Sequence, residues 1–250
     1  MPTSSSSRRT AVVTGASRGF GRAIAAGLAA HGVHVVGVAR DEGELCSLQH
    51  ELGSSFTPVA ADVTDEGLAA RLIAEHRPDL LVLNAGATPC AAPIQDQTWA
   101  TFSENWNVDV RHVFEFVQAA LLAPLPPGSS VVSVSSGAAR QGSPMSGGYA
   151  GAKATVKFIS AYAGAESDRN SLGIRFVALL PKLTSDTALG ATFVDSYADY
   201  DRVDRATFRE RLGDPLTAHQ VADAVIHLTA HGVSPSAAYL LTAGGLTAID

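Results

Sequence analysis

Tyr149 and Lys153 stand four positions apart in the run Tyr149-Ala150-Gly151-Ala152-Lys153, so a helix would stack a phenol and an ammonium on one face, one turn apart. A free phenol titrates at about pH 10. A neighbouring cation stabilises the phenolate, so the hydroxyl can give a proton to a developing alkoxide and take it back nearer neutrality. Ser136 precedes Tyr149 by thirteen positions and closes the run Val131-Val132-Ser133-Val134-Ser135-Ser136. A hydroxyl at the carboxyl end of a strand can donate to a substrate carbonyl without belonging to the core, because ligands of open α/β sheets bind outside those ends. Ser135 is its rival for that place.

A second group of residues suits a phosphate. Thr14-Gly15-Ala16-Ser17-Arg18-Gly19-Phe20-Gly21 follows an apolar strand-like run and opens a helical one, the context that turns a glycine pattern into a phosphate site. Gly15 permits a tight turn, while Gly19 and Gly21 let backbone and helix approach closely, so that free amide hydrogens at the helix N-terminus face a pyrophosphate.

The elements that must position these groups read as an alternation. Strands are expected at Thr10–Thr14, Val33–Val38, Phe56–Ala60, Leu80–Leu83, Val131–Val134, Ile174–Leu180 and Tyr239–Leu241, with helices at Gly19–His31, Leu68–His76, Thr98–Ala123, Tyr149–Asn170 and Ala218–Ala230. Several strands are apolar at nearly every position, as in a parallel sheet covered by helices on both faces. The reading is an α/β, doubly wound Rossmann fold with a sheet of about seven parallel strands between two helical layers. At 250 residues the chain fits one such domain over 10–250, preceded by a flexible Ser-rich arm over 1–9. The segment 184–214 interleaves Phe193, Tyr197, Tyr200 and Phe208 with Asp195, Asp199, Asp201 and Asp204; no strand is evident, and a substrate lid is expected there.

Composition removes several classes of function. A formal net charge of -6 gives no basic footprint for nucleic acid, and no apolar run is long enough to span a bilayer. Cys46 and Cys90 form no C-x-x-C motif, which argues against a disulfide framework and for a reducing cytoplasm. The pairs His227/His231 and His31/His34 have no carboxylate or cysteine completing a ligand set, so no metal is expected.

The glycine spacing, Asn84-Ala85-Gly86 after the fourth strand, Ser136 after the fifth and the Tyr149/Lys153 pair together resemble the short-chain dehydrogenase/reductase family, over about Thr10 to Leu241. The resemblance implies hydride transfer from a nicotinamide cofactor to a ketone or 3-oxoacyl-type carbonyl, with Ser136 steadying the carbonyl oxygen and Tyr149 supplying the proton. Lys153 would hold the nicotinamide ribose and act on Tyr149 by its charge. Asn107, in Trp106-Asn107-Val108-Asp109-Val110, is similar to the family's fourth catalytic residue, which positions a water. By the same resemblance the cofactor meets Thr14, Gly15, Ser17, Arg18, Gly19, Phe20 and Gly21, then Asp62 and Val63 at the adenine, Asn84, Ala85 and Gly86, and Pro181 and Thr184 near the nicotinamide, with Thr187 as the alternative to Thr184.

NAD users in the family end the second strand with an acidic residue that accepts from the ribose 2′-hydroxyl. Here Ala39 is followed by Arg40, and Arg18 lies in the glycine-rich turn, so two guanidiniums could clamp the extra phosphate and NADP(H) is expected. In the alternative, Arg40 only pairs with a neighbouring carboxylate. Where the family has Pro-Gly after the sixth strand, this chain has Pro181-Lys182; the lysine either points outward or reaches towards an acidic substrate group or the cofactor phosphates. Pro144, Met145, Trp99 and the aromatic 184–214 segment suggest a bulky apolar ligand. The resemblance also implies a homodimer or homotetramer, packed through the helices at Thr98–Ala123 and Tyr149–Asn170. Alternatives to the reductase are a dinucleotide-sensing regulator without turnover and a dehydrogenase working in the alcohol-oxidising direction.

Overall fold

Runs of Val and Leu that are apolar at successive positions satisfy two covered faces at once, and they form the centre of the molecule. The computed structural model describes residues 9–230 and 236–249; the expected arm, apart from Arg9, and His231 lie outside the described residues. Strands β1 (Thr10–Thr14), β2 (His34–Ala39), β3 (Phe56–Ala60), β4 (Leu80–Leu83), β5 (Ser130–Val134), β6 (Arg175–Pro181), β7 (Ala238–Thr242) and β8 (Gly245–Ile249) make one sheet. Its order is β3-β2-β1-β4-β5-β6-β7-β8. Strands β1 to β7 pair in parallel. These are the seven parallel strands expected, and to them the fold adds β8, which pairs antiparallel to β7, with Ala238 opposite Ile249.

Ten helices are described: α1 (Gly19–Ala30), α2 (Glu42–Leu52), α3 (Leu68–His76), α4 (Trp99–Asn105), α5 (Arg111–Leu122), the short α6 (Ala138–Gln141), α7 (Gly147–Arg169), α8 (Ala188–Asp201), α9 (Arg205–Leu212) and α10 (Ala218–Thr229). Because side chains alternate along a strand, Val13, Val35, Val82 and Val132 pack against α1, α2 and α10 on one face. Val12, Val36, Leu81 and Val131 pack against α3, α5 and α7 on the other. Each such fully buried aliphatic side chain contributes about 1.5–3 kcal/mol.

Two features set up the site. Strand order reverses direction between β1 and β4, which opens a crevice at the carboxyl ends of those strands. The helix expected over Thr98–Ala123 is interrupted by a π-helical turn, Trp106–Val110, between α4 and α5, and the extra residue in that turn shifts the phase of every side chain around it. The segment expected to be a strandless lid forms α8 and α9, whose Val194, Ala198 and Phe208 make a small core of their own. No helix among the described residues is long and apolar enough to cross a membrane.

Candidate active site

The turn after β1 closes only with glycine. A Cβ on Gly21 would lie 2.0 Å from the Gly15 carbonyl oxygen, and Gly15 has φ +68°, which glycine adopts without penalty. Thr14 and Asn84 tie the turn to the end of β4: Thr14 Oγ1 accepts from the Asn84 amide at 2.9 Å and the Ala85 amide at 3.2 Å. Asn84 Nδ2 donates to the Thr14 carbonyl at 3.1 Å. The N-caps of α2 and α10, Asp41 and Thr217, satisfy amides of their helices with side chains, but Arg18 at the N-cap of α1 makes no side-chain cap. The first amides of α1 are thus left for another acceptor, and a pyrophosphate fits them. Ser17 and Phe20 flank this turn, both partly buried.

At the end of β2, Ala39 is buried and Arg40 is 80% exposed, its guanidinium 3.8 Å from Asp62 Oδ2. Asp62 is held from the other side, Oδ1 accepting from the Thr64 amide at 3.0 Å and the Thr64 hydroxyl at 2.7 Å. These two bonds, then the Arg40 charge, keep its carboxyl below the usual carboxylate range against the opposing effect of partial burial. Val63 is buried beside it.

Ser135, Ser136, Tyr149 and Lys153 lie where β5 meets α7. Ser135 and Ser136 separate cleanly: Ser135 is buried and its hydroxyl donates to the Lys153 backbone carbonyl at 2.7 Å, so it is spent on fastening α7 to β5. Ser136 remains partly exposed and, among the described residues, accepts only from the Ala138 amide at 3.2 Å, which leaves its O–H free to donate. A second fastening comes from Lys153 Nζ, which donates to the Val134 carbonyl at 3.1 Å. The same ammonium lies 5.7 Å from the centroid of the Tyr149 ring, within range of a cation–π attraction. Tyr149 is half-buried on the outer turn of α7.

Asn107 does not join this group. It is exposed on the π turn, whereas Asp109, two residues on, is 1% exposed and places Oδ2 3.0 Å from Lys153 Nζ. Its other oxygen accepts from the Ala87 amide at 2.8 Å and from Asn105 Nδ2 at 3.3 Å. Asn105 also donates to the Ala87 carbonyl at 2.9 Å. Gly86 makes room, since a Cβ there would fall 2.7 Å from Asp109 Oδ2. Burial disfavours the charged form of Lys153, but attraction to Asp109 and Tyr149 outweighs it and leaves its pKa raised. One turn beyond Asp109, the buried His112 stands edge-on to Phe116 at 5.1 Å. Burial pushes its imidazole down to about 4, against the attraction of Asp109. Sequence reasoning missed Asp109, although a signal was present: the buried stripe Val113, Phe116, Val117, Ala120 of α5, extended back by one turn, lands on position 109.

After β6, Pro181 is buried and its carbonyl accepts from the Gly137 amide at 2.9 Å. Lys182 turns to α9, where its Nζ donates to the Leu212 carbonyl at 2.9 Å. Thr184 is buried, its hydroxyl accepting from the Asp186 amide at 3.2 Å, and Thr187 caps α8 by accepting from the Gly190 amide at 3.0 Å. Helices α8 and α9 lean on the Tyr149 segment through Tyr197, whose hydroxyl contacts Ser143 Oγ and whose ring stacks on Phe208. Beside the start of α7 lies a cavity of about 320 Å³ whose lining includes Pro93, Ile94, Gln97, Phe102, Pro144 and Tyr200. Of the bulky residues expected at a ligand, Pro144 and Tyr200 line it. Trp99, 78% exposed, and the buried Met145 do not. Of the histidines read as non-ligands, His31 Nδ1 bonds the Gly27 carbonyl and His34 Nε2 the Thr57 hydroxyl.

The chain is similar to a number of known oxidoreductases. The model of the short chain dehydrogenase family matches residues 9–197. The chain is 30% identical over 246 residues to the 3-oxoacyl-(acyl-carrier-protein) reductase of Vibrio harveyi, an alignment covering 93% of this chain and 92% of that protein. It is 30% identical over 204 residues to the NADPH-dependent pterin aldehyde reductase of Arabidopsis thaliana, covering 78% and 83% respectively. Among solved structures, the 3-ketoacyl-(acyl-carrier-protein) reductase from Brucella melitensis complexed with NADH superposes with a TM-score of 0.74 at 25% identity, over 89% of this chain and 91% of that one.

Proposed function

Since this chain belongs to the short chain dehydrogenase family, an oxidoreductase family, we propose that it is an NADPH-dependent reductase that converts a neutral, apolar ketone to a secondary alcohol. The observation that carries the reading is the double fastening of α7 to the end of β5, through Ser135 and through Lys153. In this reading the fastening carries Tyr149 towards the strand end where the Ser136 hydroxyl is unspent, with a cation beside its ring.

Each residue then has a task. The turn Thr14–Gly21 and the first amides of α1 hold the cofactor pyrophosphate, with Asn84, Ala85 and Gly86 supporting the turn from β4. Asp62 and Val63 stand where the adenine would lie, and Pro181 and Thr184 close the nicotinamide end. Bound there, a nicotinamide dinucleotide supplies the hydride that reduces the carbonyl carbon. Ser136 donates its O–H to the carbonyl oxygen, which gathers negative charge as the carbon is reduced. Tyr149 transfers its phenolic proton to that oxygen. Lys153, positively charged beside the ring, stabilises the phenolate left behind until solvent returns a proton.

The preference for NADPH rests on Ala39 and Arg40. No carboxylate ends β2 to receive a ribose hydroxyl or repel a 2′-phosphate, and an exposed contact of 3.8 Å to Asp62 does not hold the Arg40 guanidinium back from one. Arg18, also exposed, is its partner in this reading. The substrate class rests on the cavity beside the start of α7, which Gly147 brings within two residues of Tyr149 and which no charged side chain lines, although Tyr149 and Ser136 are themselves not part of its wall. Helix α8 reaches this cavity through Tyr200 and is backed by α9 through the Tyr197–Phe208 stack, so the pair is read as a lid. Phe114, Phe158 and Tyr162 are exposed on α5 and α7, the faces through which a homodimer or homotetramer would assemble. Cys46 and Cys90 are free thiols, in keeping with a cytoplasmic setting.

NADPH oxidation measured against a panel of aryl and alkyl ketones, acyl thioesters, quinones and carboxylate-bearing ketones tests the proposal. It expects neutral ketones to turn over and to outrun anionic ones. Absence of turnover across the panel while NADPH binds would overturn it.

A further inference from the structure

Asp109 is a carboxylate sealed inside the protein, and nothing in the proposed reaction yet uses it. It accepts two hydrogen bonds on one oxygen and presents the other to Lys153 at 3.0 Å. Both partners are nearly inaccessible, Lys153 at 6%. A buried ammonium is costly unless an opposite charge and hydrogen bonds compensate it. The titratable groups that act on Lys153 are Asp109 from the π turn, Tyr149 from its own helix and His112 from α5. While Tyr149 carries its proton only the carboxylate brings an opposite charge to the ammonium, since a phenol is neutral and His112 is neutral when buried.

We propose that Asp109 is a positioning residue that keeps Lys153 charged and fixed beside the Tyr149 ring, its carboxylate compensating an ammonium that the interior would otherwise drive to the neutral amine. The inference rests on the proposed role of Lys153 and deepens it by naming the group that maintains its charge. The local architecture is built around this contact. Gly86 leaves the space for the carboxylate, Ala87 and Asn105 orient it, and the π turn rotates position 109 inward while position 107 faces solvent. The Val134 carbonyl fixes the opposite side of the ammonium. With its charge balanced, Lys153 remains a cation at the pH at which Tyr149 works and can still stabilise a phenolate.

The sign of the effect follows. In Asp109→Asn the amide preserves shape but removes the charge, so burial acts on Lys153 without its main opponent and the ammonium loses its proton at lower pH. The ratio of Asp109→Asn to wild-type kcat is expected to fall at least tenfold between pH 7 and pH 9, with KM for the ketone changed far less. Asp109→Glu, which restores the charge, should recover part of the loss. A ratio independent of pH would overturn the proposal.

A second measurement does not depend on turnover. Lys153→Met leaves Asp109 buried without its cation, so thermal melting of the cofactor-free protein should drop by several degrees. Adding Asp109→Asn to that variant should regain at least half of the drop, because the unpaired charge is gone. A double variant no more stable than Lys153→Met, including failure of both to fold, would overturn the pairing. Rescue of melting in a protein that turns over no carbonyl would instead remove the reductase reading and leave the ion pair standing.

Discussion

His112 carries a pH dependence of stability that can be worked out from its surroundings. The ring is 0% exposed, packed edge-on to Phe116, and burial pushes its pKa from an ordinary 6.5 to about 4, with Asp109 opposing. As pH falls, the unfolded chain takes up this proton first, so the native state loses stability below pH 6.5 and stops losing it from this source below about pH 4. Over the whole interval the loss is ~3 kcal/mol, since a tenfold change in proton affinity is worth about 1.4 kcal/mol. Proton linkage puts about 2 kcal/mol of it between roughly pH 7 and pH 5. In a chain of this length that corresponds to a melting temperature lower by about 4–8 °C. The perturbation is His112→Leu, which fills the site without a titrating group. Urea unfolding of the cofactor-free protein at pH 7 and pH 5 should show wild type losing about 2 kcal/mol more than the variant across the interval. Parallel losses in the two proteins would refute the reasoning, because other carboxylates and histidines titrate equally in both.

Two further predictions concern cofactor choice and the lid. Arg40→Ala should raise KM for NADPH by about tenfold or more, the value of one charge-assisted hydrogen bond, while KM for NADH stays within about twofold by the same reasoning; equal effects on both cofactors would remove the phosphate clamp. Lys182→Ala frees the Leu212 carbonyl at the end of α9, so limited proteolysis within 202–214 should accelerate several-fold with ketone KM rising and NADPH KM unchanged; an unaltered cleavage rate would show that the bond does not hold the lid.

Strands β1 and β4 were legible in the sequence at their full limits, because Val and Leu runs bounded by Gly, Asn or Asp are the local signature of strands covered on both faces; β3 was placed as accurately although it is a part-exposed edge strand with only Phe56 buried. β8 was not: Gly245-Leu246-Thr247-Ala248-Ile249 is short and half-exposed at the edge of the sheet, and only pairing with β7 makes it a strand. Asp109 was partly legible, because the buried stripe Val113, Phe116, Val117, Ala120 of α5 extended back by one turn lands on it; the π turn that joins this stripe to α4 left no mark in the sequence. The distinction between Ser135 and Ser136 likewise required the third dimension, since it depends on the carbonyl of Lys153, eighteen residues away in sequence. Lys182 is a stronger case. Its partner, the Leu212 carbonyl, lies thirty residues on, and a lysine reaching a helix end leaves no trace in composition or periodicity. The glycine turn was readable because its constraint is steric and local, with Gly15 and Gly21 almost touching.

The claim on which the account turns is that the phenol on α7 is the proton donor to a reduced carbonyl. Its most direct test is the single-turnover rate of NADPH oxidation by Tyr149→Phe with the best ketone of the panel, alongside NADPH binding followed by nicotinamide fluorescence. The expected rate is lower by about 10²–10⁴-fold with binding of NADPH unchanged within about twofold, because the ring contact with Lys153 survives the substitution. A variant that binds NADPH and oxidises it at the wild-type rate would contradict the mechanism.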